Sequence, residues 1–453
     1  MTMHTRAILV VLTLLTANAC FLLAVSAKPM PTLTDLAASV DRYLAPYIDR
    51  RDFSGVVLCA RDGNVLYHKA YGLADFKTGV LNTVRTRFRI ASLTKTFTAA
   101  AIVVLAERKR LSLNDSVSKF LPGYPNGDKI RVHHLLSHAA GVPNPQPADL
   151  LDKELTPDEL IDTFKNKPLE FEPGTRGKYS NGGYVLLARI VEKASGRPYS
   201  DFLSENIFKP LGMQETGVTD LHQPPEVQAV GYEPAPGPVG LVAAPARHPS
   251  TLFGSGFLSS TTGDLRLWAQ AVRSERLFKR SALPYTFGWG ERKKYGHRYL
   301  EQSGRIPGFM AHLIVLLDEP VDIVCLCNVD TGLFGRLEKD LISLASGGQT
   351  DEPPAAPVAV AGDAKRLKEC VGKYQGPGFI LRLVEDGGQV YSKFDDGPAR
   401  AWLTPVANGD FYMRAEYAPV HIIRDTKGRA TELSIAWGGT EPPMKLSRIV
   451  SPP

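Results

Sequence analysis

Between Leu33 and Leu44 apolar residues recur at helical spacing, which predicts an amphipathic helix. The pattern then switches to period two. Gly55 to Cys59, an Asp62-Gly63 turn, and Asn64 to Tyr67 together predict a β-hairpin. From about Ser92 to Ser274 the helical period dominates, most clearly over Thr96–Arg108, Tyr184–Ala194 and Asp264–Val272. Strand patterns return at Ala311–Leu317 and Asp322–Asn328, around a turn at Asp318–Val321, and Leu337–Ala345 closes as a helix. Strands flanking a helix-rich insert predict an α+β domain whose antiparallel sheet is assembled from both ends of the segment.

Residues 347–364 carry Gly-Gly, Pro-Pro and alternating Ala, Val and Pro, a linker composition. Beyond them the turn pairs Asp386-Gly387, Asp396-Gly397, Asn408-Gly409 and Lys427-Gly428 separate short alternating runs. That spacing predicts a small all-β domain, a barrel or sandwich, over 365–453, with Tyr374, Phe379, Trp402, Phe411 and Tyr412 in its core. At the other end Arg6 precedes the apolar stretch Ala7–Val25, and Val25-Ser26-Ala27 offers small residues for cleavage. Residues 1–27 thus read as a secretory signal, 28–346 as the first folded domain, and the destination as secreted or periplasmic, with an uncleaved anchor as the alternative.

The 453 residues are 43% apolar and 22% charged, which excludes a disordered, collagenous or multi-span membrane chain. A net charge of +6, spread without long basic runs, gives no nucleic-acid footprint. Loss of residues 1–27 removes Cys20 and leaves Cys59, Cys325, Cys327 and Cys370, too few for a disulfide framework in a chain of this length. Alternation puts Cys325 and Cys327 on one strand face, and buried free thiols are the expectation.

Three short motifs carry candidate chemistry. Ser92-Leu93-Thr94-Lys95 opens an apolar helix, and a spacing of three puts hydroxyl and amine on one helical face at the positive end of the helix dipole. About two Ser-x-x-Lys matches are expected by chance at ordinary residue usage; a second occurs at Ser116–Lys119, in a polar, turn-like stretch. Tyr179-Ser180-Asn181 precedes another apolar helix. A phenol beside a lysine ammonium can lose proton affinity and act as a base, while an Asn amide can orient a substrate carbonyl. Tyr124-Pro125-Asn126 repeats the spacing, with a proline that belongs to a plain turn. Gln302-Ser303-Gly304 lies just before the late strands, and its glycine would let a substrate approach the backbone closely.

The order and surroundings of these motifs resemble the serine β-lactamase and penicillin-binding protein superfamily, in its class C-like branch of esterases, D-aminopeptidases and DD-carboxypeptidases. The resemblance covers roughly residues 35–345 and extends to Leu135–Gly141, Ile207–Met213, Gly254–Gly256 and Phe287–Trp289. The trailing domain resembles the lipocalin-like appendage of some members. The resemblance implies that Ser92 is the acylated nucleophile, that Lys95 and Tyr179 share proton transfer, and that Asn181 positions the acyl side chain. It further implies that the backbone amides of Ser92 and Arg305 form an oxyanion hole.

Gln302 departs from that pattern, since members usually carry Lys or His there. Without a cation, a substrate carboxylate loses its partner. The Arg305 side chain, at an odd offset, would face the opposite side. The expectation is therefore a serine hydrolase of esters or amides, an esterase, D-aminopeptidase or related peptidase. The alternatives are a β-lactamase or DD-carboxypeptidase, or a ligand-binding sensor on the same scaffold. The expected partner is a small-molecule or peptide substrate, with no cofactor and no nucleic acid. His134 and His138 stand four apart, a zinc-compatible spacing, but no Glu follows the first and no metal is expected. Glu291–Lys294 reads as a solvated loop.

Overall fold

The computed structural model describes residues 33–449 except 146–149, 238, 246, 278–286, 353–357, 359, 361–367, 395–400, 407–409 and 438–441. The expected signal segment, much of the linker, and the Asp396-Gly397 and Asn408-Gly409 turns lie outside the described residues.

Helix α1 (Leu33–Asp49) leads into the hairpin β1 (Gly55–Arg61) and β2 (Asn64–Tyr71). Asp62 and Gly63 both take positive φ (49° and 77°), as a two-residue turn between twisted strands requires. The helical insert carries α2 (Thr94–Glu107), α3 (Asn181–Ser195) and α4 (Thr262–Arg273). Then come β3 (Gly290–Lys294), β4 (His297–Ile306), β5 (Phe309–Leu316), β6 (Val321–Cys327) and α5 (Phe334–Ala345). The sheet runs β3-β4-β5-β6-β1-β2, antiparallel throughout. The β6–β1 ladder, from Gly55↔Cys327 to Arg61↔Val321, is where the two ends of the segment meet.

Period-two alternation sorts the strands into two cores. Val56, Leu58, Leu313 and Val324 face the insert. Val57, Cys59, Ile314 and Cys325 face Leu36 and Val40 of α1 and Leu337 and Leu341 of α5. All residues from Thr94 to Leu105 of α2 are buried, so this helix is the axis of the insert rather than an amphipathic surface element. Cys59, Cys325, Cys327 and Cys370 are buried free thiols, and burial pushes the Cys59 thiol up to about 12.

Glu291–Lys294 forms most of β3 rather than a solvated loop. A run without apolar residues shows no alternation, yet its main chain pairs with β4 from Gly290↔Glu301 to Lys294↔His297. Ion pairs Arg298–Glu291 and Arg292–Glu301 span the two strands. Charge on such an outer strand also discourages pairing with another chain.

The C-terminal strands β7 (Gly372–Gly376), β8 (Phe379–Asp386), β9 (Gln389–Phe394), β10 (Ala401–Pro405), β11 (Phe411–Met413), β12 (Ala418–Arg424), β13 (Ala430–Ile435) and β14 (Met444–Arg448) close into a barrel. The closing contact is Tyr374↔Arg448. Tyr374, Leu381, Leu383, Phe411, Leu433 and Leu446 fill its interior. Of the five aromatics expected in that core, Tyr374 and Phe411 are buried in it and Phe379 packs at its edge. Trp402 stacks edge-on against Tyr391, and Tyr412 packs against the α1/α5 core of the first domain.

Candidate active site

Ser92 lies in a single 3-10 turn, Ala91–Leu93, that runs directly into α2. Ala91 is held at φ 46°, a left-handed conformation that costs a non-glycine residue energy and persists only where the surroundings enforce it. Here β4 enforces it. A side chain at Gly304 would meet the Ile90 carbonyl oxygen at 2.2 Å and the Ser92 nitrogen at 3.0 Å. The glycine expected to admit substrate therefore admits the Ser92 turn, and the space it leaves is filled by protein.

Lys95, one turn into the helix, is fully buried. Its Nζ donates to the Ser255 carbonyl at 2.7 Å and to Ser92 Oγ at 3.1 Å. Burial drives the amine well below the ordinary lysine range, toward the neutral form. A side chain at Gly288 would sit 2.6 Å from the Lys95 carbonyl oxygen, so the Phe287-Gly-Trp289 segment lies directly on the first turn of α2.

Tyr179 Oη stands 2.7 Å from Ser92 Oγ, and Lys95 Nζ lies over the Tyr179 ring at 4.8 Å. Although 48% of Tyr179 is exposed, burial pushes its phenol up to about 12, against a smaller lowering by the Ser92 hydrogen bond. This differs from the sequence-based expectation of a lowered phenol. Desolvation outweighs the Ser92 hydrogen bond, so the Tyr179 phenol holds its proton more tightly than a free tyrosine.

The start of α3 positions this tyrosine. Ser180 caps the helix, accepting from the Gly183 N–H at 3.0 Å and donating to the Val142 carbonyl at 2.7 Å. The Asn181 N–H donates to Asn144 Oδ1 at 2.6 Å. His138 Nδ1 accepts from the Ser180 N–H at 3.1 Å, and its ring packs 4.7 Å from that of Tyr179 and 5.0 Å from that of Tyr184. Burial, with Lys95 nearby, pushes His138 down to about 4. His134 accepts from the Arg131 N–H at the cap of a short helix. The two histidines are thus engaged separately, and no metal-binding cluster occurs among the described residues.

Strand β4 is paired on its outer side by β3 only as far as Glu301. Beyond that point its edge is open to the Ser92 turn among the described residues. Ile306 and Phe309 close a two-residue hairpin turn, and such a closing pair exchanges both hydrogen bonds. Alternation along the ladder then turns the Arg305 and Ser303 N–H groups to the free edge. The side chains alternate too. Gln302 and Gly304 pair with Leu313 and Ala311 on the α2 face, and Gln302 Nε2 donates to the Ser92 carbonyl at 3.1 Å. Ser303 and Arg305 pair with His312 and Met310 on the α5 face. The Arg305 guanidinium bonds Asp330, Glu416 and the Ala415 carbonyl. The structure thus gathers the Ser92, Lys95, Tyr179 and Gln302 side chains, while Ser303 and Arg305 address the site only through their backbone. Sequence reasoning missed the Ser255 carbonyl, Asn144, and His138 as a support for Tyr179. Ser255 and His138 lie in Gly254–Gly256 and Leu135–Gly141, segments that carried the resemblance without an assigned role, and Asn144 lies outside both.

Fold and site define a serine hydrolase of the β-lactamase and penicillin-binding protein type. Residues 40–346 match the β-lactamase family, and the chain belongs to it. It is 30% identical over 404 residues to penicillin-binding protein 4* of Bacillus subtilis, covering 81% of this chain and 89% of that protein. It is 29% identical over 272 residues to the D-alanyl-D-alanine-carboxypeptidase/endopeptidase AmpH of Escherichia coli, covering 56% of this chain and 67% of the relative. An octameric penicillin-binding protein homologue from Pyrococcus abyssi shares the fold at TM-score 0.62 and 24% identity, over 90% of this chain and 99% of that one. A D-amino acid amidase from Ochrobactrum anthropi SV3 superposes at TM-score 0.59 with 26% identity, over 65% and 91% of the two chains.

Proposed function

We propose that the protein hydrolyses esters or amides through an acyl-enzyme on Ser92, as an esterase, D-aminopeptidase or related peptidase. The observation that carries this reading is a fully buried Lys95 amine 3.1 Å from the Ser92 hydroxyl, its proton affinity lowered by burial. The hydroxyl rotor turns its proton to the amine lone pair as Ser92 Oγ attacks the carbonyl carbon. The oxyanion so formed meets the Ser92 and Arg305 N–H groups and the amino end of α2. Tyr179, a protonated phenol at 2.7 Å from Ser92 Oγ, relays a proton to the leaving alcohol or amine. Lys95 and Tyr179 then activate the water that releases the acyl group. Asn181 orients the acyl side chain. No step calls for a metal or cofactor.

Gln302 favours substrates that lack a carboxylate next to the scissile bond, in keeping with the similarity to a D-amino acid amidase. A second reading, carboxypeptidase or β-lactamase activity, is supported by the similarity to AmpH and to penicillin-binding protein 4*. The chain is taken to be exported after cleavage at Ala27, with 28–346 as the catalytic domain, 347–364 as a linker and 365–453 as the barrel domain.

Fluorophosphonate labelling of Ser92, with parallel assays on a short-chain nitrophenyl ester, a D-amino-acid anilide and a chromogenic cephalosporin, tests this ranking. Labelling with ester or anilide turnover is expected. Rapid cephalosporin turnover alone would favour the second reading, and labelling without turnover of any substrate would mark a sensor.

A further inference from the structure

The corner of the barrel between β11 and β12, residues Met413 to Ala418, is built into the first domain rather than laid against it. Arg414 is 5% exposed. Its guanidinium donates to Asp52 Oδ1 at 2.6 Å, to the Gly240 carbonyl at 2.7 Å, and to the Arg50 and Arg51 carbonyls at 2.7 and 3.0 Å. Tyr417 stacks on Tyr47 of α1 at 6.3 Å between ring centroids. Gly332 approaches so closely that a side chain there would lie 2.4 Å from the Tyr417 nitrogen.

This anchored corner presents Glu416 and the Ala415 carbonyl to Arg305. Arg305 Nη2 lies 3.0 Å from Glu416 Oε1 and 3.0 Å from the Ala415 oxygen, Nη1 lies 3.3 Å from Glu416 Oε2, and Nε lies 2.5 Å from Asp330 Oδ1. A guanidinium held by a fork-on-fork carboxylate contact has little freedom to rotate or slide. Burial alone would weaken its charge, but the two carboxylates hold it firmly protonated. Arg305 sits on the stretch of β4 that no outer strand pairs among the described residues, one residue from Gly304, on which the Ser92 turn rests.

We infer that the C-terminal barrel is a positioning element of the active site: through Glu416 and Ala415 it fixes Arg305, and through Arg305 it sets the free edge of β4 against the Ser92 turn. The inference rests on the reading of Ser92 as the acylated nucleophile. A strand whose outer edge has no paired neighbour among the described residues can shift by fractions of an ångström, and misplacement of about 1 Å can cost about a hundredfold in rate. The side chains of Arg305 and Glu416 thus position the site without touching substrate, while the Arg305 backbone N–H, on the strand they fix, meets the oxyanion.

The full-length chain with Glu416→Gln, Arg305→Met, or both tests this. The rate constant of Ser92 acylation by fluorophosphonate, kcat and KM on the best ester, and the melting temperature are measured together. Glu416→Gln is expected to slow acylation and kcat about three- to tenfold, with KM nearly unchanged and melting within a few degrees of wild type. Arg305→Met is expected to cost about tenfold or more, and adding Glu416→Gln to it should cost nothing further. Wild-type acylation rates in both single variants, with only the melting temperature lowered, would reduce the contact to plain domain adhesion and overturn the inference. Additive losses in the double variant would overturn it as well. Should Arg305→Met fail to fold, the isosteric Glu416→Gln still decides. Absence of Ser92 labelling in the wild-type protein would instead overturn the acyl-enzyme reading, and this inference with it.

Discussion

Ser92–Lys95 and Ser116–Lys119 present the same two residues at the same spacing and have opposite physical characters. Lys119 has a side chain 54% exposed and pairs with Asp115 at 2.8 Å. It is a charged surface residue whose pair is worth about 0–1 kcal/mol. Ser116 begins a four-residue helix without making a side-chain cap. Lys95 is fully buried, faces no carboxylate among its perturbing neighbours, and meets a carbonyl and the Ser92 hydroxyl. The same spacing brings hydroxyl and amine to 3.1 Å in Ser92–Lys95, whereas the Lys119 amine turns to Asp115. Burial without a counter-charge lowers the proton affinity of only one of the amines, as the proposed base requires.

The strongest way to break that comparison is to delete each hydroxyl. Ser92→Ala should lower turnover by at least about a thousandfold and abolish fluorophosphonate labelling, because loss of a nucleophile that works as part of a unit forfeits most of the unit's effect. Ser116→Ala should leave both unchanged. Comparable losses in the two variants would dissolve the distinction.

The amines come next. Lys95→Met should cost about 10²–10⁴ in acylation rate, whereas Lys119→Met should leave it at the wild-type value. Stability should move the other way. The Lys95 value is lowered in the folded state, so between that lowered value and the ordinary lysine value the unfolded chain binds a proton that the folded chain does not. Wild-type stability therefore rises with pH toward the ordinary lysine value and falls as pH drops. Lys95→Met should remove this slope and raise stability at neutral pH by about 1 kcal/mol, a trade of activity against stability. Lys119→Met should lower stability by less than about 1 kcal/mol. Wild-type stability without that pH slope would mean that Lys95 stays protonated when buried.

A pH profile sharpens the same point with a smaller effect. Tyr179 stays protonated up to about 12 and His138 stays neutral down to about 4. Between those limits the group left to titrate in the cluster is Lys95. Acylation should fall as pH drops through the depressed Lys95 value, with a single acid limb that His138→Asn leaves in place. An acid limb near 4 that disappears in His138→Asn would transfer the base role to the histidine.

The sheet was legible in the sequence because the cores of its inner strands, Val56–Leu58, Leu313–Leu316 and Ile323–Cys327, are apolar on both faces, and because turn residues separate them. Strand β3 was not, because Glu291 to Lys294 owe their conformation to main-chain pairing with β4 and carry no apolar alternation. The motif residues Ser92, Lys95 and Tyr179 could be named from order and spacing. Their protonation could not, since it depends on what buries Lys95, and the Ser255 carbonyl that holds it lies 160 positions away. Arg305 shows the same limit. Its odd offset indicated that the side chain leaves the α2 face, but Asp330 and Glu416 become its partners only through the folding of two domains.

The smallest effect concerns Gln302, and it addresses which substrates the buried amine serves. Gln302 Nε2 donates to the Ser92 carbonyl from the α2 face of β4, and the nearest alternative cation, Arg305, is committed to Asp330 and Glu416 on the opposite face. Gln302→Lys keeps a hydrogen-bond donor for the Ser92 turn and adds a positive charge beside the nucleophile. A half-buried charge there should favour carboxylate-bearing substrates over neutral esters by about tenfold in kcat/KM, corresponding to about 1.4 kcal/mol. The gain should shrink as salt is added, because an open cleft is screened. The ratio of the two kcat/KM values measures this directly and is insensitive to any common loss of folded enzyme. An unchanged ratio would place the substrate carboxylate away from Gln302 and would remove the argument for ranking neutral esters and amides above D-alanyl peptides.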